Sequence, residues 1–211
     1  EGLYIGLPAF FHHTADVDEN SDGFHLVQLT CSRDLRTWTR LGEREPFIGP
    51  STVESGAFDL NGLMPPSNAI LKDDELWFYY NGSRHRREPP GANPKRSGAC
   101  LAVLRRDGFI SMDAGAEGGT VLTEPFLLPS PWLFTNVNAA VGSARVEVLD
   151  ESGSRVAESE PVKGDHVRYP VQWQAGDLAA LVNRPVQLRF DANDASIYSY
   201  WFDLVTEPPP H

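Results

Sequence analysis

Two short apolar runs around a charged turn place the strongest limit on how this chain can fold. An acidic, glycine-bearing loop begins at Glu54 and leads into the first run, 68–71. Four polar residues at 72–75 then lead into the second run, 76–80, and a basic loop follows. Polar residues between two apolar runs are typical of a β-hairpin. The pattern therefore predicts a hairpin with an acidic and a basic loop at the same end, which is a common form of polar-ligand site.

Aromatic and β-branched runs, separated by Gly, Pro, Asn and Asp, continue along the chain. No window of helical period is longer than about two turns. The sequence therefore predicts an all-β fold. Besides the hairpin, we expect strands at 3–11, 24–31, 38–41, 99–104, 109–112, 133–138, 144–149, 166–173, 186–190 and 197–202.

The first part of the chain contains a weak internal repeat. Its matching positions lie 73 residues apart: Leu3 and Leu76, His12 and His85, and the Arg-Asp pairs at 33–34 and 106–107. Each copy reads strand, polar loop, strand, Arg-Asp turn, short strand. With the run 68–71 in front, the second copy becomes a four-stranded antiparallel meander, which is the unit of a β-propeller blade.

The pattern of strand and turn residues changes after Pro125 and Pro129. The strands that follow are short, alternate in polarity and are separated by turn signals such as 150–153. Spacing of this kind is typical of a β-sandwich. We therefore expect a partial β-propeller of about two four-stranded blades at 1–130, a C-terminal β-sandwich at 131–207 and a tail at 208–211.

The charge of the chain limits its partners. It has 29 acidic and 18 basic residues, a formal net charge of −11, and the acidic excess is spread along the whole length. Nucleic acids and anionic membrane surfaces call for a basic face, so neither is expected as a partner. No apolar run approaches the length of about 18 residues that spans a bilayer. Because the chain begins at Glu1, we expect its natural start to lie upstream, and a secreted or periplasmic location stays open.

Neither a metal site nor a cofactor is expected. His12 and His13 are adjacent, so in a strand they point to opposite faces, and no HExxH or His-x-His motif occurs. Phosphate loops, dinucleotide fingerprints and serine nucleophile elbows are also absent. Cys31 and Cys100 lie in apolar runs without a CxxC pattern, which favours buried free thiols over a disulfide.

Several phrases resemble those of one group of enzymes. LTCSRDLRTWTRLGEREPFI, with Leu35 and Trp38 in order, looks like the blade strand of the five-bladed propeller glycosidases. FDLNGLMPPSNAILKDDELWFYYNGS is similar to the hairpin in the same group, which includes glycoside hydrolase families 32 and 43 and the mannoside phosphorylases of family 130. VEVLDESG and ASIYSYWFD resemble the sandwich that follows such a propeller in bacterial family-32-like proteins.

The chain also departs from that group. Only about two blades precede Pro125, and the WMNDPNG-like motif that carries the family-32 nucleophile is absent. The resemblance therefore implies a glycoside hydrolase-like fragment that hydrolyses a glycosidic bond only when a full propeller is assembled. The alternative is a carbohydrate-binding or assembly module without catalysis. Because two blades alone leave sheet edges uncovered, we expect a homo-oligomer that pairs through these edges.

The candidate site residues follow from the order of the loops. In an up-and-down blade, alternate connections emerge on one rim, so the loops 12–23, 46–62 and 84–98 are expected to meet. Glycosidic bond cleavage uses two carboxyls, and Glu54 and Asp59 are the acids of the middle loop nearest the inner strand. We expect them to act as general acid and in substrate orientation, with loop capping as the alternative role for both.

The remaining candidates are expected to contact a sugar. Histidine and arginine side chains bind hydroxyls, carboxylates or phosphates, and aromatic rings stack on sugar rings. Packing within the core or between blades is the alternative role for the aromatic residues. The residues assigned to substrate binding are His12, Trp77, Tyr80, His85 and Arg86.

Overall fold

The computed structural model describes residues 3–14, 23–84 and 96–204. Within these ranges the chain forms nineteen β-strands and three short 3-10 helices, at Gly42–Arg44, Val53–Ser55 and Leu178–Leu181. The prediction of an all-β fold is confirmed. The chain divides into two compact units, Glu1–Leu104 and Arg105–His211. The described part contains no helix that is long and apolar enough to cross a membrane.

Ten strands make up the first unit. They are Tyr4–Gly6 (β1), Ala9–His13 (β2), Gly23–Gln28 (β3), Thr30–Ser32 (β4), Thr39–Arg40 (β5), Pro46–Ile48 (β6), Gly62–Met64 (β7), Ile70–Lys72 (β8), Glu75–Ser83 (β9) and Ser97–Arg105 (β10). β1, β4 and β5 form a three-stranded sheet. The other seven form a second sheet in the order β10-β9-β7-β3-β2, in which β6 also pairs with β3 and β8 with β9.

The predicted hairpin is present as β8 and β9. Lys72 pairs with Glu75, and Asp73 adopts a positive φ of 55° between them. Asp is one of the few residues other than Gly that adopts this backbone conformation readily, so the polar run 72–75 is well suited to the turn. On β9 the even-numbered residues Phe78, Tyr80 and Gly82 are buried, and they form the inner face of this strand.

The strands of the first copy divide between the two sheets, and the second copy does not close a four-stranded blade. In the first copy, β4 pairs with both β1 and β5. In the second copy, β8, β9 and β10 are neighbours, but the next strand, Met112–Ala114 (β11), pairs with a strand of the second unit. The two Arg-Asp turns differ as well, since the positive φ falls on Leu35 in one and on Asp107 in the other. The sequence repeat is therefore not a repeat of the whole structural unit.

Eight further strands complete the second unit. They are Gly119–Leu122 (β12), Phe126–Leu127 (β13), Trp132–Leu149 (β14), Arg155–Ser159 (β15), Val162–Pro170 (β16), Trp173–Ala175 (β17), Pro185–Asn193 (β18) and Ala195–Asp203 (β19). β11 pairs with β19, and β12 and β13 pair with β18. These pairings tie residues 112–127 to strands of the second unit.

The 18-residue strand β14 organises the second unit. The sequence predicts two strands here, at 133–138 and 144–149, and the structure joins them into one. The first part of β14 pairs with β16 and β19, whereas its second part pairs with β15 and β18. One long strand thus contributes to two different sets of neighbours.

The larger apolar core lies in the second unit. It is built on alternate residues of β14 and on residues from the strands that pair with it, and its fully buried members include Val137, Val146, Val148, Val162 and Leu188. The first unit has a smaller buried set around Val27, Leu63 and Phe78, while several large apolar side chains remain exposed. The finer assignment of partial propeller and sandwich stays a prediction.

Candidate functional site

Five strand ends meet at one end of the seven-stranded sheet in the first unit. His13 at the end of β2 pairs with Gly23 at the start of β3. β7 runs parallel to β3 and antiparallel to β9, so Gly62 pairs with both His25 and Ser83. β10 begins beside the end of β9, where the Arg84 amide donates to the Arg96 carbonyl at 2.9 Å. The connections 12–23 and 84–98 therefore start and end at this end of the sheet, whereas the connection 46–62 ends there but starts at β6, whose Pro46 pairs with Gln28 at the opposite end of β3.

Asp59 and Tyr80 are brought together below this end of the sheet. The Tyr80 hydroxyl donates a hydrogen bond to Asp59 Oδ2 at 2.5 Å, and the exposed fractions of the two residues are 9% and 5%. Burial, and then the hydrogen bond to Asp59, raises the pKa of Tyr80 above its usual value. The Asp59 carboxylate is therefore already engaged inside the protein.

Two close neighbours fix the surroundings of Asp59. A Cβ on Gly82 would lie 2.6 Å from the Cα and Cβ of Asp59, so only glycine fits at this position of β9. Burial raises the pKa of the Cys100 thiol, and the negative charge of Asp59 raises it further. Both cysteines are free and partly buried, in agreement with the predicted free thiols. The inner faces of β9 and β10 thus hold Asp59 in a dense, partly polar cluster.

Arg84 fastens the loop that leads to Asp59. Its guanidinium donates to the Ala57 carbonyl at 3.1 Å and to the Gly56 carbonyl, and it lies 4.2 Å from the ring centroid of Phe58. Asn61 adds a second tie, because its Nδ2 donates to the Arg84 carbonyl at 2.6 Å. Arg84 acts here as a structural clamp on residues 56–61.

Glu54 differs from Asp59 in its surroundings. It lies in the 3-10 helix Val53–Ser55, and its side chain is exposed. Gly56 ends this helix with a φ of 70°, which glycine adopts without strain. Glu54 is therefore available to solvent and ligands, whereas Asp59 is not.

The histidine and arginine candidates are only partly within the described residues. The His12 ring stacks on the Phe24 ring with centroids 5.4 Å apart and an angle of 11°. Its Nε2 is buried and has no hydrogen-bond partner among the residues that the structure describes. His85 and Arg86 lie outside the described residues. His12 thus packs against an aromatic ring at the end of the sheet.

Trp77 and Tyr80 lie on opposite faces of β9. Phe78 and Tyr80 point inward, while Trp77, Tyr79 and Asn81 alternate with them on the outer face. The Trp77 indole N–H donates to Glu75 Oε2 at 2.8 Å, and the Lys72 ammonium lies 4.1 Å from the centroid of the ring. The two aromatic residues assigned to one site therefore have different roles, since Trp77 is half-buried on the outer face and Tyr80 holds Asp59.

The outer face of β9 carries a row of aromatic and polar side chains. The ring centroids of Trp77 and Tyr79 are 6.4 Å apart, and 51% of Tyr79 is exposed. Asn81 follows in the same row and is also exposed. The sequence analysis did not assign Tyr79 or Asn81 to a site, although the alternation of residues along β9 was the signal that would have grouped them with Trp77.

Among residues 3–14, 23–84 and 96–204, no group of three or more His, Cys, Asp or Glu side chains is arranged to hold a metal ion. Neither the models of known protein families nor the curated proteins show a match to this chain.

Proposed function

We propose that the chain binds carbohydrate on the outer face of β9 and that this binding is not coupled to cleavage. The observation that carries the proposal is the row formed by Trp77, Tyr79 and Asn81. The exposed ring of Tyr79 and the half-buried ring of Trp77 offer flat apolar surfaces, and the polar groups beside them accept or donate hydrogen bonds. A sugar ring has the same two properties, because its C–H groups form an apolar face and its hydroxyls surround it.

The polar groups near the row suit sugar hydroxyls. Glu75 supplies a carboxylate acceptor next to Trp77, Lys72 supplies donors above the same ring, and Asn81 supplies both kinds of group. Successive residues on one face of a strand are about 7 Å apart, which places Trp77 and Tyr79 at the correct scale for adjoining sugar units. The ligand class is therefore a neutral or weakly charged oligosaccharide rather than a monosaccharide alone.

The state of Asp59 favours binding over hydrolysis. A general acid must reach the glycosidic oxygen of its substrate, and a second carboxylate must reach the sugar from the other side. Asp59 is buried and accepts the hydroxyl of Tyr80, so it is engaged in the packing of the first unit. Glu54 is exposed but is one carboxylate only. A glycoside hydrolase-like activity would require groups beyond these two.

Titration calorimetry with a panel of oligosaccharides tests the proposal. We expect Tyr79→Ala to weaken binding of the best oligosaccharide by about tenfold, since loss of an aromatic stacking partner costs about 1.5 kcal/mol. Tyr79→Phe keeps the ring and is expected to bind within about twofold of the wild type. Tyr4→Ala, which removes another exposed tyrosine of the first unit, is the matched control. Binding that survives Tyr79→Ala unchanged would exclude this face as the site.

An assay with aryl glycosides separates binding from hydrolysis. We expect no turnover by the wild-type chain. Turnover that Glu54→Gln or Asp59→Asn abolishes would instead support the glycoside hydrolase interpretation. Turnover that neither change affects would point to different catalytic residues.

Self-association is a separate proposal and concerns the edge of the sheet. β10 is the last strand in the order of the seven-stranded sheet, and Leu101 and Val103 on it are 42% and 49% exposed. An exposed edge with apolar side chains favours pairing with another strand. We expect light scattering to show a dimer at micromolar concentration, and a monomer throughout would contradict the homo-oligomer.

A further inference from the structure

Asn136 occupies an irregular point of the second unit. On one side, Asn136 pairs with Ser199 but Val137 pairs with Ile197, so Tyr198 is an extra residue in β19. On the other side, Thr135 and Val137 pair with Tyr169 and His166, so β16 also has an extra residue opposite Asn136. Bulges redirect side chains and occur often beside functional sites. Here two bulges flank the same residue of the central strand.

The Asn136 side chain is buried and only half satisfied. Its exposed fraction is 1%, and its Nδ2 donates to the Arg106 carbonyl at 2.6 Å. Its Oδ1 has no hydrogen-bond partner among the described residues, and neither has the buried Oγ of Ser199, the residue that pairs with Asn136. A buried polar atom without a partner is costly, and most such atoms in proteins are paired. This point of the fold therefore lacks a hydrogen-bonding group.

Arg105 presents the complementary group. Its Nη1 donates to Asp165 Oδ1 at 2.7 Å, and its guanidinium lies 4.4 Å from the ring centroid of Tyr198. Its Nε and Nη2 are buried and have no partner among the described residues. These two nitrogens donate from the same edge of the guanidinium plane. That edge is the one that binds both oxygens of a carboxylate in parallel.

The strand register places the Nε–Nη2 edge of Arg105 at the same level of the sheet as Asn136 Oδ1 and Ser199 Oγ. Asp165 pairs with Asn138 on one side of β14, and Tyr198 lies next to Ser199 on the other side. A guanidinium that contacts both Asp165 and Tyr198 must cross β14 near Asn136. Asn136 lies on the same face of β14 as Asn138, the partner of Asp165, because the two residues are two positions apart in the strand.

We propose that Arg105, Asn136 and Ser199 form a binding site for a small hydroxy-carboxylate. The carboxylate accepts two hydrogen bonds from the Nε and Nη2 of Arg105. The hydroxyl donates to Asn136 Oδ1 and accepts from Ser199 Oγ. This site lies in the second unit, so it goes beyond the proposed binding of oligosaccharide by β9. Failure of one proposal would not affect the other. The competing occupant is an ordered water molecule, which fits unpaired buried groups as well.

Titration of the full chain with three matched compounds tests the site. Glycolate carries both groups, acetate lacks the hydroxyl and ethylene glycol lacks the carboxylate, and sodium chloride controls for ionic strength. The readout is the Nε–Hε signal of Arg105 in a proton–nitrogen correlation spectrum, assigned by its loss in Arg105→Lys. We expect glycolate to shift this signal saturably, acetate to bind about tenfold more weakly and ethylene glycol to have no effect. No saturable shift with glycolate would mean that the site holds water only and would overturn the proposal.

Variants locate the binding. Arg105→Lys keeps the charge but removes the paired donors and the Nε–Hε signal, so glycolate binding is followed in the variants through the side-chain amide signals of Asn136, and we expect affinity to fall at least tenfold. Arg106→Lys is the matched control, since the Arg106 side chain forms an ion pair with Asp107, and glycolate affinity should stay within twofold. Ser199→Ala removes an oxygen that has no hydrogen-bond partner in the part of the chain that the structure describes, so this variant is expected to fold normally and to weaken glycolate binding about fivefold. Affinity unchanged in both Arg105→Lys and Ser199→Ala would assign the binding to another place.

Discussion

The Tyr80 hydroxyl donates to Asp59 Oδ2 at 2.5 Å in the interior of the first unit. This contact joins the inner face of β9 to the loop that precedes β7. A buried carboxylate is costly unless hydrogen bonds compensate for the loss of water. Tyr80 therefore does more than fill space, since it stabilises the charge of Asp59.

Replacement of Tyr80 by phenylalanine is expected to destabilise the first unit. The ring stays in place, but Asp59 loses the donor of a hydrogen bond to a charged group, which costs about 2 kcal/mol. Urea unfolding of the wild type and Tyr80→Phe measures the difference. Tyr79→Phe removes a hydroxyl from the exposed neighbour and should change the free energy of unfolding by less than about 0.5 kcal/mol. Equal effects of the two variants would contradict a special role of the Tyr80 hydroxyl.

The same contact predicts a loss of stability at alkaline pH. The pKa of Tyr80 is raised in the folded chain, by burial first and by the bond to Asp59 second. A raised pKa means that the folded state holds the proton more tightly than the unfolded state. The contribution of Tyr80 to the free energy of unfolding is therefore fully present below the usual tyrosine pKa of about 10 and is lost as pH rises above it. The difference in unfolding free energy between wild type and Tyr80→Phe should shrink above about pH 10, and a constant difference would refute this.

Gly82 is expected to tolerate no side chain. An added Cβ would lie 2.6 Å from the Cα and Cβ of Asp59, and backbone atoms on one side of this contact leave little room to adjust. Forcing extra atoms into a packed interior costs about 1–3 kcal/mol. Gly82→Ala should therefore destabilise the first unit by about 3 kcal/mol in urea unfolding. Gly49→Ala is the control, because its Cβ would meet only Pro46 Cβ at 3.4 Å, an ordinary contact, and it should be nearly neutral.

The alternation of apolar residues was enough to predict the all-β fold and the β8–β9 hairpin, because strand periodicity depends on local sequence. It was not enough to place β11. That strand was expected beside β10 but pairs with β19, more than eighty residues further along the chain. Local sequence does not encode such distant pairing, and a run of three residues can pair with any open edge.

The candidate site shows the same division between local and distant information. Alternation along β9 predicts that Trp77 and Tyr80 face opposite sides, yet the sequence analysis assigned both to one site. The pairing of Asp59 with Tyr80 required knowledge of which loop packs against which strand. The cluster around Asn136 depends on two bulges, and bulges leave no clear mark in a single sequence.

Glu147 is expected to be the most sensitive charged residue of the second unit. It is 4% exposed on β14, and it forms ion pairs with Arg155 at 3.0 Å and with Arg189 at 2.7 Å. Glu147→Ala removes the carboxylate that both arginines contact. Because both arginines are partly exposed and can be hydrated, we expect the free energy of unfolding to fall by about 2 kcal/mol, which is less than the cost of leaving a fully buried charge without a partner. Hydrogen exchange of the β14 amides measures the effect within this unit. Glu151→Ala, in the exposed turn after β14, should leave these exchange rates unchanged, and equal acceleration by both variants would contradict the role of the network.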